Sequence, residues 1–400
     1  MTRINELIKK LCSNGVEYVE IGKIFDVKNG YTPSKNNDEY WENGTIPWFR
    51  MEDIRLNGKI LYDSIQHITK QAVKSKLFPQ NSLMVATTAT IGVHALITTD
   101  FLCNQQLTCV SVKEDFKEKV NIKFYYYYFD IVDEKCIKIA NQGGGMPIVS
   151  LDKMKKIKVP MPSIEIQNEI TKILDNFESL STELSAELSA RKKQFEYYKN
   201  KLLDFDSKNN DVVWVTLGEY CKRLKGTSIT AEQMKKIACE NGEVRVFAGG
   251  KTVVDTTYEN INCKDIISVP NIIVQSRGVI DFIYYEKPCS FKKEMWSYTN
   301  SNKITLKYIY FYLKNNVDFF RKRGSQMGSM PQISLDVTEK YKIPIPSIEE
   351  QERIVNILEK FDKLCNDTSN GLPAEIEKRR KQYEYYRDKL LNFKEVEASE

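Results

Sequence analysis

The chain has 400 residues, 42% hydrophobic and 28% charged, which is enough to bury two or three cores and excludes a disordered or low-complexity protein. Its 59 Lys and Arg against 54 Asp and Glu leave a net charge of +5, a mild excess that suits a polyanionic partner without demanding one. The polar opening of residues 1–10 is not a signal peptide and no run reaches membrane-spanning length, so a cytoplasmic location is expected.

The nine cysteines, Cys12, Cys103, Cys109, Cys136, Cys221, Cys239, Cys263, Cys289 and Cys365, form no Cys-x-x-Cys pair. They read as reduced, mostly buried thiols and not as a zinc site. In chain order, residues 5–11 suggest a short amphipathic helix closed by Asn14-Gly15. A strand-like edge with Gly22 follows, then the turn Asn29-Gly30-Tyr31-Thr32-Pro33-Ser34. Strands are expected at 45–49, 82–87 and 107–112, and a helix over 121–140 that carries the aromatic run 125–129. Within that helix Asp133-Glu134-Lys135 reads as a solvated face. Asn141-Gln142-Gly143-Gly144-Gly145-Met146-Pro147 precedes strand-like residues, which favours a turn over a phosphate cradle.

Pro160-Met161-Pro162 then stops the first globular segment, and Ser163 is placed to cap a helix that Glu165 favours through the dipole. No Gly or Pro interrupts residues 163–205, which as one helix would span roughly 60 Å and would need a partner to be stable. Its apolar stripe is Ile166, Ile170, Ile173, Phe177, Leu180, Leu184, Leu188, Phe195, Tyr198, Leu202 and Phe205. The steps alternate four and three, with one extra four at Leu184–Leu188, a stutter in a coiled-coil seam. The stutter coincides with the tandem repeat Thr182-Glu183-Leu184-Ser185, Ala186-Glu187-Leu188-Ser189.

The chain then repeats itself. Val212-Val213-Trp214-Val215-Thr216-Leu217-Gly218 leads to Gly226-Thr227-Ser228, with Gly22 against Gly218 and Gly30 against Gly226. A helix begins after Thr230, boxed by Gln233, and strands are expected at 244–247, 272–275 and 278–285, with a helix at 306–316. Between shared edges the two interiors diverge in sequence, suggesting two different readers on one scaffold. Ser325-Gln326-Met327-Gly328-Ser329-Met330-Pro331 closes the segment as the first glycine-rich run does, and Pro344-Ile345-Pro346 opens a second helix. Ile354, Ile357, Phe361 and Leu364 repeat the first stripe at a constant offset. After Asn370-Gly371-Leu372-Pro373, where a break and a fresh helix start at Pro373 are expected, Ile376, Tyr383, Tyr386 and Leu390 continue it. The seam aromatics read as core. Lys192, Lys193, Arg380 and Lys381 suit either a solvated face or a docking surface.

Catalytic patterns fail. Gly249-Gly250-Lys251-Thr252 ends like a P-loop, but Arg245 stands where its first glycine belongs. The two histidines, His67 and His94, lie in no ligand or triad spacing, so no metal site is expected. The chain reads as a binder.

Gly30-Tyr31-Thr32-Pro33-Ser34 with Glu39-Tyr40-Trp41 and Ile46-Pro47-Trp48, both Pro-x-Pro-Ser-Ile-Glu helix starts, Gly371-Leu372-Pro373-Ala374-Glu375-Ile376-Glu377 and Lys381-Gln382-Tyr383-Glu384-Tyr385-Tyr386-Arg387 resemble the DNA-specificity (S) subunit of type I restriction-modification systems. The resemblance implies a mixed α/β fold with two globular target recognition domains joined by two long antiparallel coiled-coil helices, in an internal pseudo-two-fold repeat. The implied domains are 1–162 and 206–346 for recognition, 163–205 and 347–393 for the helical spacers with a break near 367–373, and a tail at 394–400. It further implies sequence-specific binding to a bipartite site in double-stranded DNA, two modification (M) subunits docked on the helices, restriction (R) subunits joined through them, and no catalysis in this chain. S-adenosylmethionine, ATP and magnesium are expected only on those partners.

Such a role suits a stiff pair of helices acting as a ruler for the unread gap, each four-residue unit adding about 6 Å. Donors and acceptors beside strand ends are the candidate readers: Thr32, Ser34, Lys35, Trp48, Arg50, Thr88, Asn104, Gln105 and Gln106 in the first domain, and Thr227, Ser228, Lys251, Thr252 and Arg277 in the second. Arg suits a guanine edge, Asn and Gln an adenine edge, and Lys a phosphate.

Overall fold

The structure is a computed structural model that describes residue 6 and residues 15–141, 145–205, 212–250, 252–324 and 331–396. Outside these fall Lys251, Cys12, most of the glycine-rich runs (142–144 and 325–330) and, except for Glu6, the helix expected at 5–11. The chain divides into two compact units, Met1–Glu183 with Glu377–Glu400, and Leu184–Ile376.

In the first unit, strands Phe25–Asn29, Leu107–Val112, Ser82–Ala86, His94–Ile97 and Ile60–Leu61 lie side by side in that order. A smaller sheet places Ile46–Phe49 between His67–Ile68 and, in parallel, Leu102–Cys103. All five residues of Ser82–Ala86 are buried, and from Leu83 on the strand is a continuous apolar run without polar alternation. Helix α1 (Ile122–Ile139) covers the larger sheet and drives Tyr125 edge-on into Phe25, ring centres 5.1 Å apart. Asn121 starts it by accepting a hydrogen bond from the Lys123 amide.

The second unit has the same wiring. Lys222–Lys225, Trp296–Thr299, Asn271–Gln275 and Asp281–Tyr285 form its larger sheet in the matching order, and Val244–Phe247 lies between Val253–Thr256 and the parallel Cys289–Phe291. Helix α3 (Lys303–Asn315), capped by Asn302, replaces α1 and is followed by α4 (Val317–Gly324). The divergent interiors expected from the sequence therefore share one topology. Beyond side chains and loop lengths they differ in the fifth strand Ile60–Leu61 of the first unit and in α4 of the second; the shared strands keep their pairing because any residue that fits a buried strand conserves it.

Each unit enters and leaves through one antiparallel ribbon, Tyr18–Glu20 with Lys158–Pro160 and Val213–Thr216 with Lys342–Ile345. The Tyr125 hydroxyl donates to the Pro160 carbonyl at 3.0 Å, and Tyr308 to Pro344 at 2.8 Å, tying each ribbon to the helix beneath it. The Pro-x-Pro carbonyls are used again one turn on. Gln167 Nε2 donates to Pro162 O and Gln351 Nε2 to Pro346 O, both at 2.8 Å.

From these exits run α2 (Ile164–Leu202) and α5 (Ile348–Asn366), the latter followed after Asp367–Gly371 by α6 (Leu372–Leu391). Ser347 Oγ caps α5 by accepting from the Glu350 amide at 3.3 Å. Ser163 does not cap α2 in this way. Its Oγ is buried without a hydrogen-bond partner, and the Gln167 amide side chain supplies the local bonding instead.

In the first unit α2 runs antiparallel to α6. Ile166, Ile170 and Leu174 share a core with Leu390, Leu391 and Phe393, and Phe177 stacks on Tyr386 at 5.4 Å. In the second unit the remainder of α2 runs antiparallel to α5, where Phe195 and Tyr198 stack on Phe361 at 6.0 and 5.7 Å. Phe195 is buried, but Tyr198 is 36% exposed and is not the core residue expected, since only one face of its ring is covered. Ile354 is fully buried, Leu202 and Phe361 pack at the edge of that core, and Ile173, Ile357, Leu180, Leu184, Leu188, Ile376 and Tyr383 are half-buried. Leu364 departs from the expected seam. It is 38% exposed while its neighbour Cys365 is buried, because the inward face has rotated by one residue at the end of α5.

Candidate nucleic-acid interface

The predicted polar residues of the first unit come from four separate segments, and three backbone hydrogen bonds gather all four. Tyr31 N–H donates to Cys103 O at 2.8 Å, Asn104 N–H to Phe49 O at 3.1 Å, and Thr87 N–H to Gln106 O at 3.1 Å. Thr32, Arg50, Thr88 and Asn104–Gln106 thus surround one set of strand ends. Close approach of Gly30 makes this possible: a Cβ there would stand 2.1 Å from the Cys103 carbonyl oxygen.

Side chains at this end are partly fixed to one another. Thr32 Oγ1 donates to Gln105 Oε1 at 2.5 Å. Asn104 Oδ1 accepts from the Gln106 amide at 3.1 Å, an Asx-type turn that holds the tip. Arg50 is half-buried, bound to Glu52 at 2.8 Å and lying over the Trp48 ring, while its backbone N–H donates to the buried Asp53. Lys35 and Ser34 are exposed, and the Ser34 carbonyl accepts from Trp41 Nε1. Trp48 is not on this surface. It is 2% exposed, packed edge-on against Trp41 at 5.0 Å with its Nε1 donating to Tyr31 O, so it supports the reading loops from below.

The second unit repeats two of these three backbone bonds, and the Ser276 hydroxyl, donating to Glu294 O, stands where the Thr87 amide donates to Gln106 O. Thr227 N–H donates to Phe291 O at 2.8 Å, Lys292 N–H to Phe247 O at 3.0 Å, and a Cβ on Gly226 would meet Phe291 O at 2.1 Å. After the central strand, Val149 N–H reaches Thr87 O and Ala89 N–H reaches Pro147 O in one unit, as Ile333 N–H reaches Ser276 O and Gly278 N–H reaches Pro331 O in the other. Ala89 and Gly278 turn the same corner at φ +67° and +74°. The described ends of the two glycine-rich runs therefore serve as bridging turns.

Ser228, Thr252 and Arg277 are exposed on the second cluster, whereas Thr227 is only 8% exposed and acts through its backbone. Gln275 and Ser276 are buried supports, the Ser276 hydroxyl donating to Glu294 O at 2.8 Å. The sequence reading missed Lys292, Lys293 and Glu294, which occupy the turn that Asn104–Gln106 fill in the first unit. Only the equivalence of Gly30 and Gly226 with their carbonyl partners could have located them. Burial alone would raise the Glu294 carboxyl, but the hydrogen bond from Lys292 and the charges of Lys292 and Arg277 hold it below the ordinary carboxylate range.

Away from these loops, Asp133 is buried and not solvated as expected. Its Oδ2 lies 2.7 Å from His94 Nδ1, and His94 Nε2 lies 2.9 Å from the Tyr126 carbonyl. With Asp130 they form a group whose potential ligand atoms all lie within 4.8 Å, but Asp130 is already paired with Lys59 and Arg387. His67 sits at the surface, 2.7 Å from Asp63. On α6, Arg380 pairs with Glu377 and Glu384, and Lys381 with Glu377.

A tandem pair of α/β units, each with a polar loop cluster at one set of strand ends and each packed on antiparallel helices, defines a duplicated recognition scaffold. The model of the type I restriction modification DNA specificity domain matches twice, at residues 13–191 and 209–378. The chain belongs to that family. It is 34% identical to the EcoprrI specificity subunit of Escherichia coli over 92% of each chain, and 31% identical to the EcoR124I/EcoR124II specificity subunit of the same organism over 100% of this chain and 99% of that one. Its fold matches the S subunit from M. genitalium with a TM-score of 0.60 at 17% identity, covering 94% of this chain and 96% of that one. The HsdS subunit from Thermoanaerobacter tengcongensis aligns with a TM-score of 0.51 at 15% identity, covering 94% and 96%. No described helix is long and apolar enough to cross a membrane.

Proposed function

We propose that this chain is the sequence-reading subunit of a type I restriction-modification enzyme, each unit binding one half of a bipartite site in duplex DNA. The observation that carries this reading is the pair of loop clusters with a shared hydrogen-bonded frame and different polar side chains at its tips: half-buried Thr32, Arg50 and Gln106 with exposed Gln105 in one, exposed Ser228, Arg277 and Lys293 with half-buried Glu294 in the other. A constant frame with variable tips is what two related readers of two different sequences require.

On this reading the chain performs neither methylation nor cleavage. Two modification subunits dock on the helical segments α2, α5 and α6, restriction subunits join through them, and S-adenosylmethionine, ATP and magnesium belong to those partners. The test is to map methylated adenines in cells that carry this chain with its modification subunit. A single split sequence is expected. Methylation without sequence preference, or a continuous site altered by mutations in one unit only, would overturn the proposal.

A further inference from the structure

Helix α4 of the second unit ends in Arg321-Lys322-Arg323-Gly324, and this turn is built into the base of the proposed reading loops. The Gln332 amide donates to Gly324 O at 3.4 Å, and Gln332 in turn bridges Arg277. Arg321 Nε donates to Ile280 O at 3.2 Å, so Arg321 holds the helix against the strand that follows the Arg277 loop. A Cβ on Gly324 would stand 2.1 Å from the Ile280 side chain, which allows the close approach.

Arg321 is committed to this contact and to Asp318, 3.4 Å away. Lys322 and Arg323 are not. Both are exposed, and neither makes an ion pair with a described residue. The Arg323 guanidinium carbon lies 5.2 Å from the Phe319 ring centre, which holds the side chain extended while leaving its N–H edges free. A shallow groove beside it is lined by Phe319, Arg323, Asp336, Val337, Lys340, Tyr341 and Lys342; Lys340 pairs with Asp336 at 3.2 Å, and Lys342 extends the basic surface of Lys322 and Arg323. Cations in a last helical turn also offset the helix dipole. In the first unit the corresponding turn before Asn141 reads Lys138-Ile139-Ala140, one cation in place of three.

We infer that Lys322 and Arg323 are phosphate-contacting residues that anchor the second unit on the DNA backbone beside its half-site. This rests on the reading of the loop clusters as a DNA surface. The two side chains carry no base information; they position the Arg277 loop over the groove and give the second unit the larger electrostatic share of binding.

The test is the salt dependence of binding by the full chain in complex with its modification subunit, on duplexes with the mapped target and on unrelated duplexes. Each phosphate contact contributes a slope of about −0.9 in log affinity against log salt. Lys322→Ala combined with Arg323→Ala is expected to shallow that slope by about 1.8, to weaken target and unrelated duplexes alike, and to leave the methylated sequence unchanged. Lys322→Arg is expected to keep the wild-type slope, whereas a role in the helix dipole alone predicts no change of slope in the alanine pair. An unchanged slope in the alanine pair, with wild-type complex binding its target normally, would overturn the phosphate assignment and leave the reading function standing. A wild-type complex indifferent to sequence would overturn both.

Discussion

Thr32 donates its hydroxyl proton to Gln105 Oε1 across 2.5 Å, so the Gln105 amide has its oxygen engaged and its NH2 available to a ligand. A pair of outward N–H donors suits a base-edge acceptor, such as a purine N7. Gln105→Glu keeps the Thr32 contact but presents a charged acceptor, so it is expected to change the sequence read by the first unit and leave the other half-site as it was. The exposed site predicts a stability change within about 0.5 kcal/mol. Methylation-site mapping measures the first outcome and denaturant unfolding the second; an unaltered half-site would remove Gln105 from the reading set.

Gly30 and Gly226 make an independent test of the shared frame. A methyl group at either would enter the space of a backbone carbonyl that cannot swing away, since Cys103 O and Phe291 O also accept from Tyr31 and Thr227. Gly30→Ala and Gly226→Ala are each expected to cost about 1–3 kcal/mol or to displace the loop they anchor. Calorimetry of either variant reads the cost, and a melting temperature equal to wild type would contradict the packing described.

Much of this was legible in the sequence. The duplication, the Pro-x-Pro exits, the helix Ile122–Ile139 and the capping box of Thr230 with Gln233 depend on local residue chemistry, and each is present. Short strands such as His67–Ile68, Leu102–Cys103 and Cys289–Phe291 escaped, because two or three residues give no period and their pairing partners lie far away in the chain. For the same reason Trp48 was mistaken for a surface reader and Asp133 for a solvated acid. Both are claimed by partners that the linear order does not reveal, Trp41 for one and His94 for the other.

The cysteines should separate cleanly by reactivity. Cys239 and Cys263 are exposed, whereas Cys103, Cys109, Cys136, Cys221, Cys289 and Cys365 are buried. Burial pushes the Cys109, Cys136 and Cys221 thiols up to about 12 and that of Cys289 to about 11, so they stay protonated at neutral pH. Native labelling with a thiol reagent, read by peptide mass spectrometry, is expected to modify Cys239 and Cys263 and to spare these six. Rapid modification of Cys109 or Cys289 would mean that the sheets around them open.

Arg245 binds Asp255 through two hydrogen bonds, at 2.7 and 2.8 Å, across neighbouring strands. The hydrogen bond from Arg245 lowers the Asp255 carboxyl below its ordinary value. A depressed folded value means that the contribution is present above the unfolded pKa of about 3.9 and is lost as pH falls through the folded one. Both side chains are more than a third exposed, so screening limits the pair to about 0.2–1 kcal/mol. The stability difference between wild type and Asp255→Asn should be measurable at pH 7 and should shrink below about pH 4. A difference that ignores pH would point to packing and not to the charge.

The buried His94 and Asp133 pair offers the sharpest energetic prediction. Both His94 ring nitrogens face acceptors, the Asp133 carboxylate and the Tyr126 carbonyl, and Asp133 Oδ1 has no hydrogen-bond partner. Deleting one member strands the other in an apolar surround of Tyr126 and Phe129, so His94→Leu alone is expected to cost about 3–5 kcal/mol. Replacing both with apolar residues removes the stranded group as well as the attraction. His94→Leu with Asp133→Leu should therefore be more stable than His94→Leu alone, and a double-mutant cycle in denaturant measures the difference. A double variant less stable than either single one would mean that the pair is held for its shape and hydrogen bonds to the backbone, and that its mutual attraction contributes little.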